Sequence, residues 1–151
     1  MTEPTPELLT DILGRVLEES AFILAEPDQE PPRWGGAVLR ASIAFESTRG
    51  GTLRILTNPQ AASEIAANML GIDQGEEEAR SSGRAAVSEL LNVVGGAFLT
   101  RYFGSAVPSQ LGLPDTELLA APPPDAHRTC AATVRLESGE PVVLELDLEE
   151  R

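Results

Sequence analysis

The longest helical pattern in the chain is the segment GRAAVSELLNVVGGAFLTRYF at residues 83–103. On a wheel of about 100° per residue, its apolar side chains form one broad face. That face consists of Val87, Leu90, Leu91, Val94, Ala97 and Phe98. Ser81 or Ser82 can cap the helix, and Gly104 can end it after about Tyr102. We therefore expect a long amphipathic helix that packs against a core.

A hairpin and a second helix are predicted upstream of this segment. Residues 37–45 alternate with period two, and residues 52–57 supply the second strand. The turn at residues 49–51 contains two glycines, which can adopt positive φ there. Asn58 can cap the following helix, and Gly71 can end it. The apolar face predicted for that helix consists of Ala62, Ile65, Ala66, Met69 and Leu70.

The N-terminal region is predicted to form another helix followed by a loop. Thr5 can cap this helix, and Pro6 suits its first turn because no N–H is needed there. Three prolines within residues 26–32 predict a loop, because proline breaks both helices and strand ladders. We expect residues 1–33 to belong to the same domain as residues 34–151.

Two loops and a second hairpin complete the pattern downstream. Residues 72–80 predict an acidic loop, and residues 105–126 predict a loop rich in proline and glycine. Residues 131–136 and 142–148 both alternate and predict a hairpin. The order of helix, two strands, two helices and two strands indicates an α+β fold, with an antiparallel sheet packed against long helices.

The composition of the 151-residue chain restricts its class. Apolar residues make up 42%, which is enough for a core. Acidic side chains number 24 against 11 basic ones, and the charge of -13 argues against binding nucleic acid or an anionic membrane. The single cysteine predicts no internal disulfide and fits a cytoplasmic location. We expect no signal peptide and no membrane span, because the N-terminus is acidic and apolar runs are short.

A narrow polar stripe lies almost opposite the apolar face of the long helix. Ala85, Glu89, Asn92 and Gly96 fall within about 60° of one another on the wheel. Glu89 and Asn92 are three residues apart, so they project side by side from adjacent turns. The small residues beside them would leave a shallow groove that another surface can approach. An ordinary solvated helix face is the alternative interpretation of the same spacing.

Other reactive side chains do not assemble into a recognisable site. His127 lies in a predicted loop and is expected at the surface, and one histidine excludes a histidine-rich metal site. Cys130 precedes an alternating strand and is expected to be buried. Ser88 has no partner pattern of a catalytic triad. Trp34 is either an exposed recognition residue or part of the packing near a strand.

The segment AAVSELLNVVGGA at residues 85–97 resembles the signature helix of the CheC/CheX chemotaxis phosphatase family. That signature is E-x-x-N followed by glycine four residues after the asparagine, here Glu89, Asn92 and Gly96. The resemblance extends over about residues 34–148, through Asn58-Pro59 upstream and Gly112-Leu113-Pro114 downstream. A single E-x-x-N is similar to the single-site CheX branch. Ala85 departs from the aspartate or serine that many members have there.

The resemblance implies a phosphatase that hydrolyses the aspartyl phosphate of a CheY-like response-regulator receiver. It implies that Asn92 orients the attacking water and that Glu89 pairs with a lysine of the receiver. Ala85, Ser88 and Gly96 would then line the groove that the receiver approaches. The chain would need no cofactor, and magnesium would belong to the receiver. The resemblance also implies a possible homodimer.

Two other classes of function fit the same residues. A non-catalytic module could bind or sequester a receiver through the same helix, and Ala85 keeps this alternative open. A self-associating unit could pair through an edge of the sheet. Dimerisation is compatible with either main hypothesis.

Overall fold

A computed structural model describes residues 2–124 and 127–150 of the chain. Within these residues, helices and strands form one α+β arrangement. The helices are α1 (Pro6–Ala21), α2 (Pro59–Leu70), α3 (Glu77–Ser81) and α4 (Gly83–Phe98), and α4 continues into a π-helical turn (Leu99–Phe103). The strands are β1 (Glu26–Asp28), β2 (Val38–Glu46), β3 (Gly51–Thr57), β4 (Gln110–Leu111), β5 (Asp115–Leu119), β6 (Cys130–Arg135) and β7 (Pro141–Leu148).

The described strands form one antiparallel sheet, which confirms the predicted fold class. Both predicted hairpins are present, as β2–β3 and β6–β7. Pairing of β3 with β7 joins the hairpins at the centre of the sheet. The strand order is β1-β6-β7-β3-β2, and both β4 and β5 pair with the outer edge of β2. This edge lies close to the long helix, because Leu111 of β4 approaches Gly95 and Thr116 of β5 is bonded to Arg84.

The core lies between the inner face of the sheet and the helices α1, α2 and α4. Most of the predicted apolar face of α4 is fully buried, and Ala97 packs against the core with partial exposure. Burying a side chain such as Leu90 or Val94 contributes about 1.5–3 kcal/mol relative to leaving it in water. The α4 helix is therefore held in one rotational setting about its axis, which determines the residues it presents to solvent.

Two of the predicted helix caps are confirmed by their hydrogen bonds. The hydroxyl of Thr5 accepts from the backbone N–H of Leu8 at 3.2 Å. The side-chain oxygen of Asn58 accepts from the N–H of Ala61 at 2.8 Å. Gly71 ends α2 with a φ of 70°. These contacts satisfy backbone groups that a helix end otherwise leaves unpaired.

The beginning of α4 differs from the prediction, whereas helical structure ends at Gly104 as predicted. Ser82 occupies the N-terminal cap position, but its side chain makes no capping hydrogen bond. The Ser81 hydroxyl instead donates to the carbonyl of Glu78 at 3.2 Å in the short helix α3. Regular α-helix stops at Phe98, and the π-helical turn runs on until Gly104, which has a φ of 99°. The preceding turn of α3 thus leads into α4 without a serine cap.

The expectation of a loop over residues 26–32 is wrong at its start, where β1 pairs with β6. Pro27 is tolerated because β1 is an edge strand, where a missing N–H need not break the ladder. Arg135 of β6 forms an ion pair with Asp28, which ties the two strands together. The N–H of Glu30 and the Arg135 guanidinium hold the pKa of the Asp28 carboxyl below its usual range.

Two other predicted loops also contain regular structure. The acidic segment at residues 72–80 includes the start of α3, whose Ala79 is fully buried. Residues 105–126 contain β4 and β5, which are short and obtain their hydrogen bonds from β2.

Leu70 was predicted on the buried face of α2 but is 47% exposed. The last fully buried residue of α2 is Ala67, so the end of this helix extends past the core.

The glycines of the first hairpin turn serve a purpose different from the predicted one. Neither Gly50 nor Gly51 has a positive φ. A Cβ on Gly51 would lie 2.6 Å from the carbonyl oxygen of Asp147 and 2.6 Å from Cζ of Phe45. Glycine is therefore required at position 51 by the close approach of β7 and an aromatic ring.

We predict that Gly51→Ala lowers the free energy of unfolding by about 1–3 kcal/mol, because the new methyl group must displace backbone. Gly14→Ala is the matched control, since a Cβ there meets nothing within 4 Å. Gly14→Ala should raise the free energy of unfolding by about 0.5–1 kcal/mol, because alanine is favoured over glycine in the interior of a helix such as α1. Urea titration followed by circular dichroism measures both, and equal effects of the same sign would contradict the packing described.

Candidate functional site

The polar stripe predicted on α4 lies at the surface of the molecule. The side chains of Glu89 and Asn92 are exposed, as is Ala85 one turn earlier. Ser88 and Gly96 are half-buried beside them. This arrangement follows from the burial of the opposite face of α4, which leaves the stripe as the part of the helix farthest from the sheet. The structure thus brings the five predicted residues together on one helix surface.

The polar groups of the stripe have no hydrogen-bond or ion-pair partner in the part of the chain that the structure describes. Among residues 2–124 and 127–150, no side chain or backbone group bonds to the carboxylate of Glu89 or the amide of Asn92. Many other charged side chains are paired, as in the 3.2 Å contact between Arg54 and Glu145. An unpaired carboxylate beside an unpaired amide can bind a cationic group and a water molecule of a partner.

Two consecutive glycines shape the far end of the stripe in different ways. A Cβ on Gly96 would meet nothing within 4 Å, so this position keeps the groove beside Asn92 open to solvent. A Cβ on Gly95 would lie 2.8 Å from Cδ1 of Leu111. Gly95 therefore lets α4 approach β4 closely. The sequence pattern predicts a role for Gly96 but not for Gly95, because contact with a distant strand has no local signal.

A segment between β4 and β5 borders the stripe on one side. One end of this segment is held where Leu111 approaches Gly95. At the other end, the guanidinium of Arg84 donates to the carbonyl oxygen of Thr116 at 3.0 Å. Leu113 lies between these two contacts and is 91% exposed. On the other side of the stripe, Val93 is 37% exposed. The candidate site is therefore a polar pair flanked by apolar side chains, a feature that the sequence analysis did not identify.

The remaining reactive side chains lie away from the stripe. His127 is exposed, as predicted, and its Nδ1 is 3.0 Å from a carboxylate oxygen of Asp147. Cys130 at the start of β6 is half-buried rather than buried, and burial raises the pKa of its thiol to about 11. Trp34 packs against the outer face of the sheet, which favours its packing interpretation. No group of His, Cys, Asp and Glu in the described residues could hold a metal ion.

A cavity of about 710 Å³ lies mainly on the outer face of the sheet, away from the stripe. Its charged lining includes Glu145, which is held between Arg54 at 3.2 Å and Arg128 at 2.7 Å. The two guanidinium groups thus share the Glu145 carboxylate in an ion-pair network. None of the residues predicted for the site lines this cavity.

The comparisons with known proteins agree with the fold. The family described as Chemotaxis phosphatase CheX matches residues 39–143. Chemotaxis protein CheX from Vibrio vulnificus is 19% identical, with a TM-score of 0.74 over 99% of this chain and 99% of that chain. A CheX from Desulfovibrio desulfuricans is 16% identical, with a TM-score of 0.73 over 93% of this chain and 96% of that chain.

A third similar structure contains a partner. It is the complex of CheX and CheY with BeF3 and Mg from Borrelia burgdorferi. This chain is 16% identical to it, with a TM-score of 0.70 over 99% of this chain and 100% of that chain. Among curated proteins, none matches the sequence. In the described parts of the chain, no helix is long and apolar enough to cross a membrane.

We predict that Cys130 is a poor nucleophile near neutral pH. A pKa of about 11 against an ordinary 9.0 leaves about a hundredfold less thiolate, which is the reactive form. Alkylation by iodoacetamide at pH 8, followed by mass spectrometry, should be slow for the folded protein and fast in urea. Equal rates in the two conditions would contradict the effect of burial on this thiol.

Proposed function

The chain belongs to the chemotaxis phosphatase CheX family, and from this premise we propose that it hydrolyses the aspartyl phosphate of a CheY-like response-regulator receiver. The proposal rests on the side chains of Glu89 and Asn92, which are exposed on one face of α4 and have no partner among residues 2–124 and 127–150. The structural likeness to a CheX that was solved with CheY supports a receiver as the partner. Chemotaxis is the expected setting, in the cytoplasm.

The proposed reaction is mainly a problem of placing water. An acyl phosphate is already reactive, so the attacking water needs to be held in line with the bond that breaks. The amide of Asn92 can donate one hydrogen bond and accept another, and it can therefore orient a water without removing its proton. An acceleration of about 100-fold requires only about 2.7 kcal/mol. Positioning alone can supply this amount.

Glu89 is proposed to align the receiver. Its carboxylate stands one turn from Asn92 and has no internal partner in the described chain. Facing a lysine ammonium of the receiver, it would form a charge-assisted contact at the edge of the phosphorylated site. The open groove at Gly96 would let the receiver surface approach the amide. We assign the magnesium ion of the reaction to the receiver.

A binding module without turnover is the second candidate, and Ala85 is the observation that favours it. This methyl group is exposed one turn before Glu89, where the resemblance to the family leads us to expect an aspartate or a serine. The same surface could then hold a phosphorylated receiver without accelerating its hydrolysis. A homodimer through an edge strand stays a prediction under either proposal.

We predict that Asn92→Ala abolishes the acceleration of phosphate loss while leaving the fold intact, because the exposed amide forms no hydrogen bond with any described residue. Phosphate release from phosphorylated CheY-like receivers of the source organism, with wild type and variant in parallel, measures this. Gln60→Ala, which removes another exposed amide, is the control and should retain the wild-type rate. A retained rate in Asn92→Ala contradicts the mechanism. Receiver binding without acceleration by the wild type supports the binding module.

Glu89→Gln should raise KM for the phosphorylated receiver more than it lowers kcat, because the lost charge mainly orients the partner. The effect should shrink at high salt, since the ion pair is screened. Steady-state kinetics at two ionic strengths measures both quantities. Glu19→Gln, on the exposed surface of α1, is the charge-matched control. A purely kcat effect that is independent of salt would contradict the aligning role.

A further inference from the structure

The strand edge beside α4 has an irregular register. Leu111 of β4 lies opposite Phe45 of β2. Asp115 of β5 lies opposite Ser42 of the same strand. Four residue steps from β4 into β5 therefore correspond to three residue steps along β2. One extra residue is accommodated between β4 and β5, which is a β-bulge.

The extra residue falls at Leu113 and Pro114, which share the place opposite Ile43. Just before them, the N–H of Gly112 donates to the carbonyl of Ala44 at 2.8 Å, so the bulge begins from a fixed point. Proline is suited to a bulge because it has no N–H to pair. A bulge re-aims side chains, and here Leu113 is turned away from the sheet to an exposure of 91%.

Contacts at both ends place the bulge alongside the middle of α4. One end is held by Leu111 against Gly95, and the other by Thr116 against Arg84. The helical rise separates Gly95 from Arg84 by about 16 Å. Five steps of extended chain from Leu111 to Thr116 cover about the same length. The segment therefore runs antiparallel to α4, along the side of the polar stripe.

This register brings Leu113 level with the stretch of α4 between Ser88 and Asn92. The segment that carries Leu113 therefore borders the same turns of α4 that carry Glu89 and Asn92. A typical interface covers about 800 Å² on each partner, which corresponds to a patch with a radius of about 16 Å. A partner centred on Asn92 therefore also covers Leu113.

We propose that Leu113 is the apolar anchor by which this surface docks on the phosphorylated receiver, an inference that rests on the proposed function. The bulge holds the backbone of Leu113 in place between two strands. The loss of conformational entropy when a partner binds is therefore small. Anchors of this kind stand beside polar groups and exclude water from them. With Val93 on the opposite flank, Leu113 would enclose the water held by Asn92. The receiver must then present an apolar patch next to its phosphorylated aspartate.

The test compares Leu113→Ser with Leu24→Ser, a control at the opposite end of the sheet whose leucine is 60% exposed. The probe is a CheY-like receiver from the source organism, loaded with beryllofluoride and magnesium, and calorimetry gives Kd. We expect Leu113→Ser to raise Kd about tenfold, equivalent to about 1.4 kcal/mol, and Leu24→Ser to leave it within twofold. Leu113→Met should restore the affinity, because the pocket on the receiver needs only apolar volume.

Steady-state kinetics of phosphate release test the anchor role of Leu113 separately from the proposed phosphatase activity. Leu113→Ser should raise KM about tenfold and leave kcat unchanged, since binding energy shared by ground state and transition state affects KM alone. An unchanged Kd in Leu113→Ser overturns the anchor and leaves the phosphatase standing if the wild type accelerates phosphate loss. A raised Kd without wild-type acceleration supports the anchor and overturns the phosphatase. Altered self-association with unchanged receiver affinity, or no wild-type binding to any receiver tested, overturns the anchor.

Discussion

The contact between α4 and the inner face of the sheet constrains the rest of the molecule. Side chains such as Val87 and Leu91 are fully buried in this contact, and rotating the helix would expose them to water. The opposite stripe is therefore fixed in orientation without contacts of its own. Glu89 and Asn92 can stay unpaired at no cost to the fold, because the stability of α4 comes from its other face. A rigid element that carries unpaired polar groups is well suited to positioning a water molecule.

The edge of the sheet supplies the second part of the site. Gly95 allows α4 to lie close to β4, and Arg84 holds the start of β5. The chain between these contacts is one residue longer than its partner strand requires, and the excess displays Leu113 beside the polar stripe. The same edge thus completes the sheet and widens the surface around Asn92. Packing of the sheet edge and the proposed recognition of the receiver would thus depend on the same irregular strand.

Sequence patterns predicted the parts of the fold that local chemistry determines. The caps at Thr5 and Asn58, both hairpins and the two faces of α4 depend on residues close in sequence, and each is present. The strands β1, β4 and β5 were missed because they are short and owe their hydrogen bonds to distant strands. Of the site, the polar stripe was visible in the helical period, whereas Leu113 was not, because a register mismatch appears only once β2 is in place.

We propose that the stripe on α4 and the adjoining bulge form one receiver-binding surface. Backbone amide NMR of the labelled protein, titrated with a beryllofluoride-loaded CheY-like receiver, would map that surface. We expect chemical-shift changes concentrated at residues 85–96 and 111–116, with the outer sheet face around Arg40 and Arg54 unchanged. Changes concentrated on that outer face, with the stripe unaffected, would contradict it.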